Sequence, residues 1–110
     1  MAFQIPKAVT PQALVEQLKQ GKPLNLLDVR ESVEWAEGHV EGAKHIPLSQ
    51  LMERREELEP AQEIIIMCRS GNRSGLACEL LHEKGYKVVN MTGGLNAWTS
   101  KLVRDVPSNN

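Results

Sequence analysis

The stretch IIIMCRSGNRSGLACELL (Ile64–Leu81) decides how the chain folds. Ile64 to Met67 are apolar without alternation, the pattern of a central parallel strand covered on both faces. The run ends at Cys68, and Arg69, Ser70, Gly71, Asn72 and Arg73 follow as a polar segment. A helical pattern then begins, with Leu76, Ala77, Leu80 and Leu81 on one face, Glu79, His82 and Glu83 on the other, and Gly85 as the stop. Strand, short loop and helix in that order form the repeating unit of an α/β domain. Ligands of such domains gather at the carboxyl ends of the strands, which is where Cys68 falls.

Outward from this unit the alternation continues. Leu24–Val29 and Tyr86–Met91 are short and rich in Leu, Val and other strand formers, so they predict further strands. Upstream, Thr10 and Pro11 supply an N-cap and a first helical residue, Ala13, Leu14 and Leu18 share a stripe, and Gly21 closes the helix. SQLMERREELEP (Ser49–Pro60) predicts a short solvated helix, and LNAWTSKL (Leu95–Leu102) a last one after the TGG turn. The fold class is therefore α/β with a mostly parallel sheet.

The chain has 110 residues, which suits one domain over 1–110 with its core at about 9–107 and a frayed tail from 103 on. Apolar residues make up 41% and charged residues 25%, the balance of a soluble domain. A formal net charge of −1 gives no basis for binding nucleic acid or a membrane surface. No apolar run approaches the roughly 18 residues that span a bilayer. MAFQIPKAVT lacks the apolar stretch of a signal peptide, and two cysteines are too few for a disulfide framework. A reduced, cytoplasmic location is expected.

The chemistry centres on Cys68. Gly71 and Asn72 adopt unusual backbone angles readily, so the loop can turn several N–H groups inward as an anion nest. The helix start adds partial positive charge, and Arg69 and Arg73 add formal charge. All favour a thiolate over a thiol. Cysteine phosphatases instead carry Cys-x5-Arg; here Ser74 holds that arginine position, Arg73 closes a ring one residue shorter, and Met67 stands where many such enzymes have histidine. The shorter ring suits one sulfur atom carried on the cysteine better than a phosphate. Cys–His hydrolysis needs a base, for which His39, His45 and His82 are candidates that nothing local places near the thiol. His39 and His45 lack the further ligands of a zinc site, so no metal is expected. Cys78 flanks the helix stripe as a packing residue, not a disulfide partner of Cys68. Asp28 and Arg30, at a strand end, are assigned a supporting role in holding neighbouring loops, together with Ser74. Trp35 and Trp98 are read as packing residues.

Three segments in order resemble the single-domain rhodaneses, a sulfurtransferase family, over about Val9 to Pro107. CRSGNRS (Cys68–Ser74) is similar to that family's active-site loop. LLDVRESVEWAEGHVEGAKHIPLSQL (Leu26–Leu51) is similar to its first signature, through Asp28-Val29-Arg30, Gly38-His39-Val40, Gly42-Ala43 and Ile46-Pro47. MTGGLNAW (Met91–Trp98) is similar to the second, through Gly93, Gly94 and Trp98. The resemblance implies a three-layer domain, its sheet flanked by helices on both faces. It also implies ping-pong transfer in which Cys68 takes a sulfane sulfur from a small anionic donor such as thiosulfate, or from a persulfide, and passes it to cyanide, a thiol or a partner protein. The N–H groups of Arg69 to Arg73 would hold the persulfide charge, with Arg69 meeting an anionic donor and Arg73 either doing so or fixing the loop. No metal or organic cofactor is required. One departure bears on the donor: ESVEWAE (Glu31–Glu37) has three glutamates where the thiosulfate enzymes of the family often carry a basic residue, which argues against thiosulfate as the physiological donor. The competing readings are a partner-binding module without transfer activity, and a phosphatase or arsenate reductase.

Overall fold

The computed structural model describes residues 7–104. Five strands form one parallel sheet: β1 (Lys7–Val9), β2 (Leu26–Asp28), β3 (Lys44–His45), β4 (Glu63–Met67) and β5 (Lys87–Met91), in the spatial order β1-β5-β4-β2-β3. The helices are α1 (Pro11–Lys19), α2 (Ser32–Glu37), α3 (Leu48–Arg54) and α4 (Asn72–Glu83). None of the described helices is long and apolar enough to cross a membrane.

Strand periodicity sorts the core into two layers. Along β4, Ile64 and Ile66 pack with Leu51 of α3 and Ala77, Cys78 and Leu81 of α4, whereas Ile65 and Met67 pack with Leu14 of α1. The sheet therefore has covered faces on both sides, as expected of a three-layer domain, and this is why the strand reads as an unbroken apolar run. Cys68 continues the phase of Ile64 and Ile66 and lies in the same cluster as α4. The sulfur is thus set on the face where α4 begins.

Several local expectations need correction. Thr10 does cap α1, its Oγ1 accepting the Ala13 N–H at 3.1 Å, but Ala13 is exposed; Pro11, Leu14 and Val15 face inward, with Leu18 packed partly buried against the same cluster as Leu14. On α4 the inner face is Ser74, Ala77, Cys78 and Leu81, and Leu76 is turned outward, 48% exposed. Leu95–Leu102 does not form a helix: only Leu95–Ala97 make a 3-10 turn, because Leu95 and Asn96 donate their N–H groups to the Cys68 and Arg69 carbonyls. The strands β1 and β3 and the helix α2 were not foreseen; each is short, and α2 has no fully buried residue to give it a periodic stripe. Fraying does not reach Val103, which exchanges two 2.8 Å backbone hydrogen bonds with His39. The rest of the expected tail, apart from Arg104, lies outside the described residues.

Candidate active site

Cys68 follows directly on β4 and precedes the Gly71 N-cap of α4. A helix leaves its first N–H groups without intrahelical partners. Two groups at this helix start find Sγ of Cys68: the Gly71 N–H at 3.1 Å and the Ser74 N–H at 3.3 Å. Ser74 Oγ lies 3.4 Å from the same sulfur. The turn requires Gly71 at φ +101°, a left-handed backbone that a side chain would strain.

Cys68 is 0% exposed, and burial is the largest single influence on its thiol, pushing the pKa up. The Ser74 hydroxyl and the N–H groups of Ser74, Gly71 and Ser70 together outweigh that burial, so the pKa ends below its ordinary value. The arginines contribute less than expected. The charge of Arg73 is felt by Cys68, but its guanidinium is committed to Glu34, with hydrogen bonds of 2.6 and 2.9 Å to the two carboxylate oxygens. Arg69 Nε also donates to Glu34, at 2.9 Å. The groups that donate to Sγ are therefore backbone N–H groups; the Ser74 hydroxyl accepts from the thiol and gives its own proton to Asn90, and the guanidinium groups stand one layer further out.

Glu34 is the residue that reading the sequence missed as a site residue. Its carboxylate also accepts the Glu31 N–H at 2.9 Å, which anchors the first turn of α2. Arg73 above all, with Glu31 N–H and Arg69, holds this carboxyl far below the usual carboxylate range against the opposing effect of burial. The helix-start spacing Glu31-x-x-Glu34 was legible, but a partner 39 positions away was not. Asn90 was also missed. It follows Val88 in phase on β5, so it faces α4, where its Oδ1 accepts the Ser74 hydroxyl at 2.6 Å. Asn90 Nδ2 donates to Gly71 O at 3.4 Å.

The supporting residues lie one step away. Asp28 and Arg30 form a buried ion pair at 2.8 Å, and Arg30 Nη2 also donates to Gly38 O at 2.7 Å, the end of α2. This pair ties the β2 end to the helix that carries Glu34, and the hydrogen bonds at Sγ come from other residues. Gly94 packs directly on the loop, where a Cβ would collide with the backbone of Arg69 and Ser70. Asn72, expected in the anion cradle, is exposed at the first position of α4, and no hydrogen bond to Sγ is made by it. His39 and His45 stack with Trp35, at centroid distances of 3.6 and 4.7 Å, and use a ring nitrogen on the carbonyls of Trp35 and Arg30. His82 is exposed near the far end of α4. Cys78 is buried within the α4 face, and burial pushes its thiol up to about 12.

Comparison with known proteins places this geometry. Residues 10–101 match the family model of the rhodanese-like domain. YtwF of Bacillus subtilis (strain 168) is 41% identical over 92 residues, which cover 84% of this chain and 89% of YtwF. A sulfurtransferase of Allochromatium vinosum is 33% identical, over 82% of this chain and 85% of its own. The crystal structure of a rhodanese-like domain protein from Staphylococcus aureus superposes with a TM-score of 0.86 at 31% identity, covering 91% of this chain and 99% of that one. The chain belongs to the rhodanese-like domain family, whose members include sulfurtransferases.

Proposed function

We propose that the protein is a sulfurtransferase that carries sulfane sulfur as a persulfide on Cys68. The observation that carries this reading is the convergence of the Gly71 and Ser74 N–H groups on Sγ, at 3.1 and 3.3 Å, with the Ser74 hydroxyl beside them. The N–H groups stabilise a thiolate nucleophile first. They then stabilise the negative outer sulfur of the persulfide, in the manner of an oxyanion hole. The thiolate attacks the outer sulfur of the donor, a new S–S bond forms, and the donor's own bond to that sulfur breaks. The electron pair leaves as sulfite when the donor is thiosulfate, or as a thiolate when it is a persulfide. A second nucleophile then takes the outer sulfur and restores the Cys68 thiolate. Arg69 to Arg73 supply the loop, Ser74 the hydroxyl, and Asp28 with Arg30 the frame. The acceptor is a thiol or a partner protein, and the setting is the cytoplasm, where thiols stay reduced. The near balance of acidic and basic residues, a formal net charge of −1, supports this over a nucleic-acid or membrane role.

The test is the intact mass after incubation with thiosulfate or a small-molecule persulfide, followed by peptide mapping. One added sulfur on the Cys68 peptide is expected, removed by cyanide. Cys68→Ser abolishes both the added mass and turnover, and Cys78→Ser retains most of each. Undiminished turnover in the Cys68→Ser protein would sink the reading.

A further inference from the structure

The guanidinium groups of Arg69 and Arg73, one layer out from Sγ, are the natural seat for an oxyanion, and they are already occupied from within. Glu34 presents both carboxylate oxygens to them: Oε1 accepts from Arg73 at 2.6 Å, and Oε2 from Arg73 at 2.9 Å and Arg69 at 2.9 Å. The carboxylate is 13% exposed, against 33% for the Arg73 side chain and 51% for Arg69, so the acid is the most enclosed member of the cluster. Glu37 lies 4.0 Å from Arg69, and the charge of Glu31 is felt by Arg73. Three carboxylates thus share two arginines, and with Cys68 ionised the entrance is negative. A planar carboxylate held on a planar guanidinium by two parallel hydrogen bonds is the same geometry by which arginine binds a donor oxyanion.

We infer that Glu34 determines donor specificity: by occupying the faces of Arg73 and Arg69 it disfavours donors that bring a sulfonate or other oxyanion, and selects donors of the thiol persulfide class. This rests on the sulfur-transfer reading above. Thiosulfate must displace the Glu34 carboxylate to use the arginines, and it arrives as a dianion at a negative entrance. A persulfide, R–S–SH, needs no such clamp. The Cys68 thiolate attacks the outer sulfur, the R–S bond to it breaks, and the electron pair leaves on RS⁻, which takes the proton from the newly formed Cys68 persulfide. Products are RSH and the Cys68 persulfide anion, with no oxidant or reductant required.

The experiment measures kcat/KM for thiosulfate and for 2-mercaptoethanol persulfide, which carries no oxyanion group, in the wild type, Glu34→Gln and Glu34→Asp. The ratio of the two constants is used because it is insensitive to the fraction of folded protein. Glu34→Gln is expected to raise the thiosulfate-to-persulfide ratio at least tenfold, mainly through a lower thiosulfate KM. Glu34→Asp, which keeps the charge, stays within threefold of the wild type. Independently of turnover, sulfate should protect Cys68 from iodoacetamide at a concentration at least tenfold lower in Glu34→Gln than in the wild type. An unchanged or lower ratio, or equal sulfate protection in the two proteins, overturns the role given to Glu34. Failure of every form to gain sulfur from either donor overturns the sulfur-transfer reading instead, and the sulfate measurement still judges Glu34.

Discussion

At the scale of single residues, the chain contains two cysteines in opposite electrostatic settings only ten positions apart. Cys68 is buried but hydrogen-bonded to N–H groups and the Ser74 hydroxyl and ends below its ordinary pKa, whereas burial above all, with the charges of Cys68 and Glu79, pushes Cys78 up to about 12. Alkylation by iodoacetamide across pH should therefore modify Cys68 with a midpoint below the free-thiol value of ~8.5, and leave Cys78 untouched in the folded protein at neutral pH. Ser74→Ala should move the Cys68 midpoint upward, because the hydroxyl is the largest of the stabilising influences. A Ser74→Ala midpoint equal to that of the wild type would show that the hydroxyl donates to Asn90 in the thiolate form as well. Arg69→Ala should move it less, since that side chain is half in water and paired with Glu34. The loop cysteine was legible in the sequence because an apolar run, a glycine and two arginines adjoin it. Glu34 and Asn90 were not, because each joins the site through the packing of a separate element.

At the scale of elements, the loop between β4 and α4 is shaped by its neighbours as much as by itself. Gly94 stands at φ +62° and ψ −165°, a backbone conformation almost confined to glycine, with the Arg69 and Ser70 backbone against it. Gly94→Ala is expected to cost on the order of 1–3 kcal/mol from the backbone alone, and to reduce sulfur transfer further by pushing the loop out of register. Urea unfolding and single-turnover transfer measure the two effects, and transfer that falls no more than stability would deny the loop contact its importance. The Gly71 and Ser74 N–H groups close on one sulfur, so hydrolysis of p-nitrophenyl phosphate by the wild type should be negligible beside sulfur transfer. Comparable phosphate-ester turnover would assign the loop to phosphorus chemistry. The elements with long apolar periods, β4, β5, α1 and α4, were legible. The final helix was not correctly read, because Leu95 and Asn96 give their N–H groups to Cys68 and Arg69 in a short turn, a contact that periodicity cannot register.

At the scale of the whole molecule, stability and site are joined through the Asp28–Arg30 pair. Its side chains are 0% and 6% exposed, and Arg30 also reaches the end of α2. Removing one partner from a buried pair leaves an uncompensated charge, so Arg30→Met is expected to cost about 3–5 kcal/mol in denaturant unfolding. A loss below 1 kcal/mol would show that the pair is solvated after all. Acid dependence follows from Glu34, whose pKa is depressed in the fold. A depressed carboxyl contributes stability that is complete above the unfolded value of ~4.3 and is lost as pH falls below it toward the folded value. The wild type should lose stability through that range more steeply than Glu34→Gln, and parallel curves would mean that the ion pairs contribute nothing.

The pairing of β1 with β5 has a consequence in time as well as in space. Lys7–Val9 can join the sheet only after Lys87–Met91 exist to receive them, and the Cys68 carbonyl meets its donor only at Leu95. Contacts so far apart in the chain are closed late in folding. While the chain is being synthesised, Cys68 emerges well before the residues that hold its loop, and spends that interval as an ordinary thiol, mostly protonated at neutral pH. The N–H groups that lower its pKa are held in place by the completed domain, so a stalled or truncated chain should alkylate at Cys68 more slowly at neutral pH than the finished one.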